Sequence, residues 1–139
     1  MKLLFSTILY LGIIDGFSQQ ITVSGKIIDK DLQSIAGAVI QTLNAEFKTA
    51  TNENGEFTFS IPEESQELEV HYAGMFIKRE LIKGNCPLHV VLLPMIYYRS
   101  PLLEEEQKKV EQDRELQAKK IKIKAYKKRI FKRLESQCL

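Results

Sequence analysis

The chain has 139 residues, 44% of them hydrophobic and 27% charged, with a formal net charge of +2 at pH 7. That length and balance leave room for one globular domain with extensions, and exclude a chain of several domains. The small net charge conceals a division: residues 19–100 hold 7 Lys/Arg against 10 Asp/Glu, residues 101–115 hold 3 against 6, and residues 116–139 hold 9 against 1.

Met1-Lys2 gives a short basic start, and Leu3 to Ile14 is an apolar run of twelve residues. As a helix that run would span roughly 18 Å, short of a bilayer core of about 30 Å, so it reads as a signal-peptide core and not as an anchor. Gly16-Phe17-Ser18 has the small-x-small pattern of a cleavage site before Gln19. A buried N-terminal element is the competing reading, but the run begins at residue 3 without polar punctuation. No Cys lies near the cleavage point to take a lipid, and no apolar run after residue 18 is long enough to span a membrane. The chain is therefore expected to be exported and soluble after cleavage.

From Gln19 to Leu93 apolar residues recur with a period of two, as in half-buried strands. The inward sets are Ile21, Val23, Gly25 and Ile27; Ala36, Ala38 and Ile40; Phe57, Phe59 and Ile61; Leu68, Val70 and Tyr72; and Leu88, Val90 and Leu92. A weaker strand covers Phe76 to Leu81. Turn residues separate them at Asp29-Lys30-Asp31, Asn52-Glu53-Asn54-Gly55, Pro62-Glu63-Glu64-Ser65 and Lys83-Gly84-Asn85. Asn54-Gly55 suits a tight hairpin. Strands at this spacing with no helix between them predict an antiparallel sandwich, with Phe57, Phe59 and Tyr72 supplying much of the burial. Cys86 and Cys138 could form one disulfide, but the favoured reading is two unpaired thiols, because the tail helix should carry Cys138 far from the domain.

Several stretches in this order resemble the carboxypeptidase regulatory-like domain. Val23-Ser24-Gly25-Lys26-Ile27-Ile28-Asp29 resembles its opening strand, and Ile35-Ala36-Gly37-Ala38-Val39-Ile40 its second. Thr51-Asn52-Glu53-Asn54-Gly55-Glu56-Phe57 resembles its Thr-Asp-x-x-Gly-x-Phe hairpin. Leu68 to Met75 resembles the later Ser-Tyr-x-Gly-Tyr strand, and Val90-Val91-Leu92-Leu93 the closing one. Asn52, His71 and Met75 depart from that pattern, where Asp, Ser and an aromatic are usual. The resemblance covers residues 20–94. It implies a seven-stranded transthyretin-like sandwich and a non-catalytic module of the kind that accompanies carboxypeptidases or stands at the N-termini of TonB-dependent outer-membrane receptors. The expected fold is thus mainly β, a seven-stranded antiparallel transthyretin-like β-sandwich followed by a long C-terminal α-helix. The divisions are a signal peptide at 1–18, the sandwich at 19–96 and a charged helical tail at 97–139.

Catalytic and metal chemistries find little footing. Asn52, Asn54 and Gly55 fit three positions of a calcium loop, but Ala50 and Ile61 occupy its first and last ligand positions. His71 and His89, the only histidines, fall on the polar phase of their strands and read as surface residues with no zinc-spaced companions. No Gly-x-Ser-x-Gly elbow or Gly-rich phosphate loop occurs. Tyr97-Tyr98-Arg99-Ser100 partly resembles the Tyr-Arg-Gly-Ser ending of transthyretin-like hydroxyisourate hydrolases. That enzyme is the alternative function, and it would need His71, His89 and Arg99 in one cleft. No cofactor, metal, catalytic residue or small-molecule substrate is expected.

The tail reads as a helix from Pro101 to Glu135, capped by Ser100 and roughly 50 Å long. Leu103, Val110 and Ile121 form one stripe, which rests on the sandwich in the reading of the tail as a solvated helix, ranked close behind partner binding. Leu116, Ile123, Tyr126, Ile130 and Leu134 form another, flanked by Lys120, Lys127 and Arg133. The second stripe is the candidate contact for a protein partner in the cell envelope, with an anionic membrane surface ranked below it and nucleic acid not expected. A chain ending at Arg99 is expected to keep the sandwich folded.

Overall fold

The computed structural model describes residues 19–84, 86–98 and 100–132; the signal segment expected at 1–18 lies outside them. In chain order the elements are β1 (Gln20–Ile28), β2 (Val39–Thr42), β3 (Lys48–Ala50), β4 (Glu56–Pro62), β5 (Glu67–His71), β6 (Lys78–Leu81), β7 (Leu88–Val91) and α1 (Glu104–Lys127). They form a three-stranded sheet, β4-β1-β7, and a four-stranded sheet, β3-β2-β5-β6. The period-two pattern turns Val23, Ile27, Phe57, Ile61 and Val90 of the first sheet toward Ile40, Leu68 and Val70 of the second, making one core between two sheets.

The expectation of a wholly antiparallel sandwich is corrected at one pair. β1 runs antiparallel to β4 but parallel to β7, with Gly25 opposite Leu88 and Ile28 opposite Val91. β7 enters this sheet from β6 of the other sheet, so no hairpin fixes its direction. Gly25 makes the pairing close: a Cβ there would lie 1.9 Å from the Leu88 carbonyl oxygen.

Three local expectations also change. β3 has only three residues, Lys48-Thr49-Ala50, too polar and short to show a period. The stretch from Thr51 to Gly55 joins β3 of one sheet to β4 of the other, so it is a crossing between sheets and not a hairpin. Its residues are occupied structurally. The Thr51 hydroxyl accepts from the Ala38 N–H at 2.9 Å and donates to the Ile35 carbonyl at 2.6 Å, while the Asn52 side chain accepts from the N–H groups of Asn54 and Glu56, each at 3.0 Å. Tyr72, expected inside, is 41% exposed because β5 ends at His71 and the chain turns away there.

α1 is shorter than predicted, 24 residues or roughly 36 Å. It starts after Leu103, whose N–H donates to the Glu106 carboxylate at 2.9 Å, and not at Ser100-Pro101. It stops where Arg129 adopts φ 59°, and the N–H groups of Ile130 and Phe131 both return to the Ala125 carbonyl. That turn folds the chain back onto the outer face of the three-stranded sheet. Ile28, Val91, Leu93, Ala125 and Phe131 there make a second buried cluster, with Ile121, Tyr126 and Ile130 packed against it.

The second cluster bears on the cysteines. Cys86 is disulfide-bonded, which corrects the reading of two unpaired thiols. The helix does not carry the tail away, since Phe131 stacks on His89, three residues from Cys86. The sequence offers one intrachain partner, Cys138, which lies outside the described residues.

Candidate interaction surface

α1 presents two unlike faces. The docked face is set by Val110, Arg114, Ala118, Ile121 and Ala125, which recur every three or four residues on one side of the helix. Ala118 and Ala125 are small, so the helix lies close to the sheet. Only Val110 and Ile121 of this set were expected there; Leu103, the third residue of the predicted stripe, is 72% exposed. Arg114, Ala118 and Ala125 were missed because a search for large apolar residues passes over alanines and a cation. Their spacing was nonetheless visible.

Polar contacts hold the first half of the helix. The Arg114 guanidinium lies 3.9 Å from the centre of the Phe76 ring, and Lys78 of β6 pairs with Glu115 at 2.6 Å. Beside them runs a cleft whose lining includes Glu69, Phe76, Arg79, Leu93, Glu111 and Arg114. Glu69 accepts from His71 at 3.2 Å and from the Arg79 guanidinium at 2.8 Å. The His71 hydrogen bond first, and Arg79 after it, hold its carboxyl below the ordinary value of 4.5, against the opposing effect of burial. The cleft charges are paired with one another, so they leave no isolated acid or base for proton transfer.

Aromatic packing holds the second half. His89 is only 5% exposed, its ring parallel to that of Phe131 at 4.3 Å, and its Nδ1 stands 3.0 Å from the Tyr126 hydroxyl. Its outward phase was read correctly, but the helix covers that face, so it is not a surface residue. His71 lies on the outer face of the other sheet, alternating with the inward Val70. The two histidines therefore sit on opposite sides of the sandwich and do not share a cleft. Arg99 lies outside the described residues. Among the described residues no group of three His, Cys, Asp or Glu side chains could hold a metal, and no helix is long and apolar enough to cross a membrane.

The predicted contact set is divided by this arrangement. Tyr126 and Ile130 turn to the sandwich, Tyr126 toward His89 and Ile130 against the second cluster. Leu116 and Ile123 face solvent, each 52% exposed, with Lys120 and Lys127 exposed beside them. Leu134 and Arg133 lie outside the described residues. The outer face thus keeps two aliphatic side chains among lysines, opposite the docked stripe.

Residues 23–88 match the family model of the CarboxypepD_reg-like domain. No curated protein matches the chain. Solved structures with a similar arrangement include two type II cohesin–X-dockerin complexes of Acetivibrio cellulolyticus. One is an N-terminal interface mutant, at 14% identity and a TM-score of 0.43, covering 52% of this chain and 57% of that one. The other is a C-terminal interface mutant, at 17% identity and a TM-score of 0.34, covering 52% and 51%. The chain spans little more than half the length of these structures.

Proposed function

We propose that this chain, whose residues 23–88 match the model of the CarboxypepD_reg-like domain, is a non-catalytic, exported interaction module of the bacterial cell envelope. The sandwich is the stem, and the outer face of α1, centred on Leu116, Ile123, Lys120 and Lys127, is the contact. The observation that carries this reading is the division of α1. One face is consumed by the sandwich, while the opposite face leaves two large aliphatic residues exposed. The disulfide at Cys86 supports an oxidising compartment, as the apolar run at Leu3 to Ile14 does. The alternative, a transthyretin-like hydroxyisourate hydrolase, would need the two histidines together, and they occupy opposite faces.

Pull-down from an envelope extract tests the contact. The chain beginning at Gln19 is compared with L116S/I123S and K120E/K127E forms. Capture of envelope material, protein or lipid, by the parent chain, lost in both variants, is the expected result. Equal capture by all three forms would move the contact to the sandwich surface and leave α1 as a brace.

A further inference from the structure

The second half of α1 carries four exposed lysines that no other described residue neutralises. No acidic residue occurs between Leu116 and Lys132. Lys119, Lys120, Lys124 and Lys127 are exposed and, among the described residues, make no ion pair. In the first half of α1, by contrast, Lys108 pairs with Glu104, Arg114 with Glu111 and Lys78 of β6 with Glu115. At 100° per residue the four lysines, Leu116 and Ile123 fall within an arc of about 140°, on the side away from the sandwich. Lys128, Arg129 and Lys132, also exposed, continue the charge beyond the helix end.

We propose that this face binds an anionic lipid surface, which rests on the reading of α1 as the contact element. The two aliphatic residues stand among the lysines, where they can enter the boundary between head groups and acyl chains while the lysine stems lie alongside. A soluble polyanion has no use for them. Among the described residues the cations of this segment are lysines apart from Arg129, whereas geometric recognition of phosphates favours the arginine fork. No aromatic ring lies on the face for bases to stack on, Tyr126 being turned onto His89. Protein interfaces draw their strongest contacts from Trp, Tyr and Arg and are poor in Lys, the inverse of this composition. A diffuse anionic surface asks only for charge and a shallow apolar foothold. Each lysine brought to such a surface strengthens partition by about fivefold.

The test is co-sedimentation of the chain beginning at Gln19 with phosphatidylcholine vesicles, with and without phosphatidylglycerol. Sedimentation with the phosphatidylglycerol vesicles alone, reversed by high salt, is expected. K120E/K127E should weaken it by about 25-fold or more, and L116S/I123S should also weaken it. These side chains are exposed, so thermal unfolding of both variants should match the parent, and K120Q/K127Q is a milder form of the first. Equal sedimentation with neutral vesicles, none with anionic vesicles at low salt, or full binding by K120E/K127E would each overturn the proposal. So would equally tight binding of polyphosphate that ignores L116S/I123S, which would make the face a soluble-polyanion site. Absence of vesicle binding together with variant-sensitive capture of an envelope protein would overturn the lipid and keep the contact face. Absence of both would overturn the two readings together.

Discussion

His89 shows how a single position takes its meaning from what lies above it. Strand alternation points it outward correctly, yet the run Leu88 to Leu93 is almost continuously apolar, the signature of a strand covered on both faces. The cover is Phe131, itself 2% exposed and stacked on the imidazole. Phe57, buried in the core between the sheets, was legible from alternation alone, whereas Phe131 lies in a stretch that reads as charged tail. Both Phe57→Ala and Phe131→Ala should destabilise the fold, by about 3–5 kcal/mol for a fully buried ring. Urea denaturation checks this, and an unchanged midpoint for Phe131→Ala would mean that the helix end does not dock. Glu69 has a pH signature. Its carboxyl is held below 4.5 in the fold, so its contribution is full above the unfolded value and is lost as pH falls through the lower folded value. Glu69→Gln should therefore flatten the dependence of the melting temperature on pH below about 4.5, while a profile identical to the parent's would show that the His71–Glu69–Arg79 cluster contributes nothing to stability.

At the scale of elements, β1, β4 and β5 were readable because a face buried on one side writes its period into the chain, and β7, buried throughout, stood out as an apolar run around His89. β3 and the helix ends were not. β3 is held by pairing with β2, which uses backbone and not side-chain pattern. The helix end is set by the backbone turn at Arg129, a residue with no glycine-like signal. The largest revision concerns the tail. A tail expected to be dispensable to the sandwich instead covers Ile28, Val91 and Leu93, so removal of everything after Arg99 would expose three aliphatic side chains together with His89. The truncated chain should lose stability, with a melting temperature well below the parent's and increased binding of a hydrophobic dye. Coincident melting curves would restore the sandwich as self-sufficient.

The whole molecule is a two-sheet body braced on one side by a helix and joined covalently at Cys86. A native disulfide typically contributes about 2–4 kcal/mol. Reductant should therefore lower the melting temperature of the parent chain and leave Cys86→Ser unaffected; equal response of the two would show that the bridge bears no part of the stability. The mixed sheet has a consequence for synthesis. β1, the central strand, emerges first, yet it is flanked by β4 and by β7, and its Ile28 is covered by residues as late as Phe131. A nascent chain shorter than about ninety residues thus holds a central strand with one vacant side and no shield over Ile28, and closure of such distant pairings is slow. Protease resistance of ribosome-stalled chains should appear only once α1 has cleared the exit tunnel, so a helix made late decides when a strand made early becomes safe.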